Sequence, residues 1–360
     1  MNCAILPGMR RRCLFVMIAA SASIQAQWTI QQSNTTASLR GIHSIGGGVA
    51  WASGAQGTIL RTTNDGETWQ TCAVPPQADK LDFRGIQAFD ENTAVVMSAG
   101  TGALSRLYKT TDACRTWKLI FTNPDKKGFW DALQFDGSSF GLLIGDQVRG
   151  HFRVFSTSDG GNTWRKFHRK GIAAVQKRQS IFAASNTALL VDRKHSTFYF
   201  VTGGGATAFA AVDLHRAAPA YTHPDLAVGE TAGGFSIASR VDGANVIFVA
   251  VGGDYKAPDR NTGSAASWVD SKWHAADTLP GGYRSAVAWS APSRTWIAAG
   301  PNGTDASTND GRNWHALKPS VSEAPDADRS WNALSLPFAV GAKGRIGKLS
   351  SDALSRSRDW

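Results

Sequence analysis

At 360 residues the chain can bury a large core, and a composition 42% hydrophobic with 37 Gly and 13 Trp, without long amphipathic helical patterns, points to an all-β protein. The formal net charge is +10, but the basic residues are scattered singly along the sequence and no nucleic-acid motif accompanies them. A nucleic-acid partner is therefore not expected, whereas an acidic protein, anionic lipid or polyanionic glycan is compatible with the charge.

The chain opens with Arg10-Arg11-Arg12, an apolar run from Cys13 to Ala20, and small residues ending at Ile24-Gln25-Ala26. That layout is a secretory signal peptide over 1–26, with cleavage expected after Ala26 and export to the periplasm or beyond. The uninterrupted apolar run is much shorter than the roughly 20 residues of a membrane span, so no integral span is expected. Loss of the three arginines lowers the charge from +10 to +7. Only Cys72 and Cys114 then remain, in different repeats; export permits a disulfide between them, and the repeat pattern gives it little support.

From residue 27 onward the chain is repetitive. Four turns share one pattern, each ending in Trp: Thr62-x-Asn64-x-Gly66-x-Thr68-Trp69, Thr110-x-Asp112-x-Cys114-x-Thr116-Trp117, Thr157-x-Asp159-x-Gly161-x-Thr163-Trp164 and Ser307-x-Asn309-x-Gly311-x-Asn313-Trp314. The Asp or Asn oxygen can accept N–H bonds across a tight turn, the Gly suits a positive φ, and the Trp buries a large ring at the next strand. Trp69 to Trp117 is 48 residues and Trp117 to Trp164 is 47, with four short strands per unit, which is the period of a propeller blade. Residues from about Ser180 to Pro219 are degenerate: strand-like runs stand at Thr187 to Val191 and Thr197 to Val201, without the turn motif. Further units begin near Gly234, at Tyr283 and at Trp331, and the last runs out before its fourth strand. Gln27-Trp28-Thr29-Ile30 is a fourth strand without earlier partners, and it is expected to complete the seventh blade. The prediction is an all-β, seven-bladed β-propeller over 27–351, closed by its N-terminal strand and followed by a tail, 352–360, at about 48 residues per blade.

The turns resemble the Asp-box of bacterial neuraminidase repeats. The chain as a whole resembles the photosystem II stability/assembly factor-like family of seven-bladed propellers, grouped with Asp-box and YVTN-type repeats. The likeness is most specific at 125–132, 252–258 and 300–305, with Gly145-Asp146-Gln147 departing from the pattern where relatives tend to have Pro after Asp. It implies a non-catalytic binding or assembly scaffold, a role that photosynthetic members serve for the reaction centre.

Asn64, Asp112, Asp159 and Asn309 are read as structural turn locks, because such turns sit on the outer parts of blades. Innermost strands line the channel. Aligning the unit starts puts Arg40, Arg84 and Arg284 at one position, with Trp130 and Trp331 at the same place in two other blades, and Asp131, Ser285 and Asn332 following immediately. Such a rim could grip a carboxylate, so the partner is expected to be a protein or an acidic glycan or peptide on the channel face of a monomer. A sialidase would need a Tyr–Glu pair, but only four Glu are present, and Phe83-Arg84-Gly85-Ile86 is the nearest approach to the characteristic Phe-Arg-Ile-Pro. The alternative is a secreted glycan-binding propeller or a glycosidase, the latter using two of Asp131, Asp146, Asp254 and Asp305. No catalytic residue, metal or cofactor is assigned: the His residues lack ligand spacing, and the Gly triplets lack a strand-to-helix context.

Overall fold

The computed structural model describes residues 27–351 except 170, 217, 218, 244, 321 and 322. The expected signal peptide, 1–26, and the expected tail, 352–360, lie outside the described residues. Seven antiparallel sheets form, and their first strands are Leu39–Gly46, Phe83–Ala88, Trp130–Asp136, Leu189–Asp192, Ala232–Asp242, Ala286–Ser290 and Trp331–Ser335. Each first strand contacts the first strands of both neighbouring blades, so the seven close into a ring around a central channel. The last sheet is completed by Trp28–Gln31, which pairs antiparallel with Ile346–Leu349 from Trp28↔Leu349 to Gln31↔Ile346. The chain is a seven-bladed β-propeller whose N-terminal strand joins the last blade.

The apolar cores lie between blades, and the turn tryptophans explain why. Trp69 packs edge-on against Phe338 of blade 7, and Trp117 against Trp51 of blade 1. Trp314 of blade 6 sits with Val249 and Val251 of blade 5. Trp28 lies 4.9 Å from Trp331 in a cluster shared with Ile297 and Ala306 of blade 6. Each ring is thus buried against the preceding blade, a contact whose truncation costs about 3–5 kcal/mol in a well-packed core. The degenerate stretch makes a complete fourth blade, Leu189–Asp192, Thr197–Val201, Phe209–Asp213 and Pro219–Thr222. It fills the same space with Phe198 and Phe200, packed against Phe167 and Phe152 of blade 3, and Tyr221 reaches back to the Ala173 carbonyl at 2.6 Å.

The four turns share one hydrogen-bond set. In Asp159 one carboxylate oxygen accepts from Thr157 Oγ1 (2.7 Å) and Thr163 N (3.0 Å), and the other from Thr163 Oγ1 (2.6 Å). Asp112 repeats this with Thr110 and Thr116. Asn64 and Asn309 keep the acceptor bonds, to Thr68 N at 3.1 Å and Asn313 N at 2.9 Å. These bonds favour the ionised form and hold Asp112 and Asp159 down at about 2.

Cys72 and Cys114 are joined in a disulfide, with Cα atoms 5.3 Å apart. Separate repeats gave the bond little support, but adjacent blades bring the end of one fourth strand onto the next blade's turn. Cys114 holds the position that is Gly in the other turns that keep a Gly, at φ 60°, and its carbonyl accepts from Ala73 N.

Candidate functional site

Five of the seven first strands carry a bulge at their channel-mouth end. Pairing shifts register between Leu39 and Gly41, Phe83 and Gly85, Trp130 and Ala132, Gly234 and Ser236, and Trp331 and Ala333. The bulged residues are therefore Arg40, Arg84, Asp131, Phe235 and Asn332. A bulge re-aims one side chain, and Arg40, Arg84, Phe235 and Asn332 all line the cavity at the channel mouth, whereas Asp131 is buried away from it. Opposite it stands a recurrent glycine: a Cβ at Gly54, Gly145 or Gly341 would collide with the carbonyl of Ser38, Phe129 or Ser330, the residue just before the strand's first paired position.

That geometry corrects the alignment of the arginines. Gly300 meets the carbonyl of Tyr283 in the same way, which makes Arg284 the equivalent of Leu39, Trp130 and Trp331, not of Arg40 and Arg84. A slip of one residue sends a strand side chain to the opposite face. Arg284 is accordingly 2% exposed, with its guanidinium ion-paired to Asp305. Its Nε donates to Asp305 Oδ2 at 2.6 Å, and Nη1 to the Tyr283 carbonyl and Asn302 Oδ1. Trp130 is fully buried, stacked on Phe121 at 5.3 Å. Trp331 is also buried, forming part of the wall beneath the rim.

Arg40 and Arg84 do meet at the mouth. They line a cavity of about 460 Å³ with Phe182, Phe235, Tyr255 and Tyr283. Arg84 donates to Asp82 Oδ2 (2.7 Å) and to the Ala183 carbonyl (3.1 Å). Among the described residues Arg40 has no carboxylate in ion-pair range, and its buried Nε has no hydrogen-bond partner. Burial, and then the neighbouring Arg84, pull its pKa below the usual guanidinium value.

The floor of this cup is a strap that sequence reading missed, residues 179–187, between blades 3 and 4. Ser185 donates to the Ser285 carbonyl of blade 6, and Asn186 pairs with Leu133 N and O of blade 3. Phe182 stacks on Phe235 of blade 5 at 4.0 Å. Asp146 accepts from Ile181 N at 3.0 Å. The channel is thus closed from within. The only sign of the strap was the length of the boxless stretch before the fourth blade.

Asp131 and Asp146 stand side by side at the blade 3 bulge. Burial and then Asp146 raise Asp131 well above the carboxylate range, and burial raises Asp146 to about 6. Neither lines the Arg40 cavity. Asp254 is held by Thr231 and Lys256 N, and Asp305 by Arg284, so the four aspartates do not converge on one site.

No family model matches the sequence, and no curated protein does. Solved structures do match in shape. YCF48 bound to D1 peptide superposes with TM-score 0.62 at 16% identity over 91% of this chain and 97% of that one. YCF48 from Cyanidioschyzon merolae gives 0.62 at 18%, over 91% and 100%. The chain has their fold. A GH74 xyloglucanase from Xanthomonas campestris gives 0.65 at 15% identity, over 91% of this chain but 54% of the longer enzyme. At these identities the likeness is one of fold, and among the described residues no helix is long and apolar enough to cross a membrane.

Proposed function

We propose that the protein is an exported, non-catalytic binding scaffold that holds an acidic peptide segment of a partner protein in the cup at the channel mouth. The observation that carries this reading is Arg40: a largely buried guanidinium without a carboxylate is costly, and a ligand carboxylate would offset that cost. Arg84 supplies a second cation, and Phe182, Phe235 and Tyr255 offer apolar contact for adjoining side chains. Binding of a D1 peptide by a YCF48 of the same fold supports a peptide as the ligand class. The signal pattern and the disulfide support an oxidising compartment.

The test is fluorescence anisotropy with labelled peptides ending in acidic residues and a free carboxylate. Arg40→Ala with Arg84→Ala should weaken binding at least tenfold at an unchanged melting temperature. Equal binding by the double variant would reject the site. The hydrolytic alternative draws on Asp131 and Asp146 and on the GH74 fold likeness; release of reducing ends from xyloglucan, abolished by Asp131→Asn, would establish it instead.

A further inference from the structure

A second cleft lies on the opposite face of the disc. The channel-mouth cup is built where first strands begin, whereas this cleft is built from the other ends: Phe140 after the first hairpin turn of blade 3, Arg165–Phe167 at its fourth strand, and the turns of blade 4 at Arg193–Ser196 and Leu214–His215. Its volume is about 610 Å³. Phe140, Phe167 and Leu214 are half-buried and form an apolar floor. Arg165, Lys166, Arg193 and His215 stand around it, and the Arg193 guanidinium lies 5.1 Å over the Phe140 ring.

Basic residues scattered in sequence are gathered here by the fold. Arg165, Lys166 and Arg193 have no carboxylate in ion-pair range among the described residues. Nearby acids are engaged locally: Asp136 accepts Arg193 N, Asp192 pairs with His195, and Asp213 caps His215 and Arg216. Arg169, Lys194 and Arg216, near these residues in sequence, are exposed.

From this juxtaposition of free cations and half-buried rings in one recess, we infer that the cleft between blades 3 and 4 binds an anionic glycan carrying uronate or sulfate groups. Planar guanidiniums match carboxylate and sulfate oxygens two at a time, and ring faces suit the apolar face of a sugar. A bilayer fits less well, because none of the exposed large hydrophobic residues borders the cleft. A peptide strand fits less well, because the adjoining edge strand, Arg165–Lys166, is only two residues long.

The test uses the exported chain, labelled polygalacturonate oligosaccharides, neutral dextran and phosphatidylglycerol vesicles. Oligouronate should bind in a salt-sensitive way and dextran should not. The variant Arg165→Ala, Lys166→Ala, Arg193→Ala should lose at least tenfold in affinity at a melting temperature within about 2 °C of the parent. Arg40→Ala with Arg84→Ala should leave binding within twofold, which separates this site from the channel mouth. The inference is overturned if the triple variant binds as the parent does, if Lys126→Ala with Lys127→Ala weakens binding equally, or if vesicles bind through the same residues while the oligosaccharide does not.

Discussion

Replacing Arg284 and Arg40 separately by Ala should give opposite outcomes, although both are arginines at the start of a first strand. Arg284 is 2% exposed and ties Asp305, Asn302 and the Tyr283 carbonyl together. Removing one partner of a buried pair leaves the other charge uncompensated, at a cost of about 3–5 kcal/mol. At about 2.1 cal/mol/K per residue of unfolding entropy, a domain of this size should melt about 4–7 °C lower. Arg284→Lys should recover little, since an ammonium cannot reproduce the planar set of bonds. Arg40 has no carboxylate to strand, so Arg40→Ala should leave the melting temperature unchanged or slightly higher while weakening acidic-peptide binding. Calorimetry and anisotropy on the same preparations decide the matter. An Arg284→Ala protein that melts like the parent but no longer binds peptide would return Arg284 to the rim and refute the bulge register.

Further outcomes follow from groups elsewhere in the ring. Asp146 is raised to about 6 in the folded state, so its contribution to stability is fully present below its unfolded value near 3.8 and is lost as pH rises through about 6; Asp146→Asn, which keeps an acceptor for Ile181 N, should flatten the melting temperature across pH 4 to 7 and be at least as stable at pH 8. Asp159 has the opposite sign: held at about 2, it contributes above its unfolded value and loses that contribution as pH falls through about 2, so Asp159→Asn should be tolerated, as Asn64 and Asn309 are in their turns, while Asp159→Ala should cost about 1 kcal/mol in denaturant unfolding. Replacing Cys72 and Cys114 by Ser should lower stability by up to about 4 kcal/mol on the chain-entropy estimate for a 42-residue separation, with a reducing agent producing the same loss in the parent.

The blade count and ring closure were legible because their causes are local. A turn that needs an acceptor oxygen and a ring to bury writes the same residues every 47 or 48 positions, and Trp28 carries the mark of a fourth strand without partners. The rim was read one residue out of register in three blades because a bulge inserts an extra residue without changing the polar pattern; Gly54, Gly145, Gly300 and Gly341, facing a carbonyl at each strand start, are the signal that resolves it. Blade 4 could be placed only by elimination, since Phe and Tyr replace its Trp and its preceding stretch is spent on the strap.

The sequence by itself thus determined the repeat, the all-β class and the way the ring shuts, since strand period and turn chemistry act over a few residues. Tertiary structure alone decided what meets across space: Cys72 with Cys114, residues 179–187 with four other blades, Arg284 with Asp305, and the cations of blades 3 and 4 around one recess. Side chains far apart in the chain become partners only when the blades are set side by side, and their charges and burial take effect there.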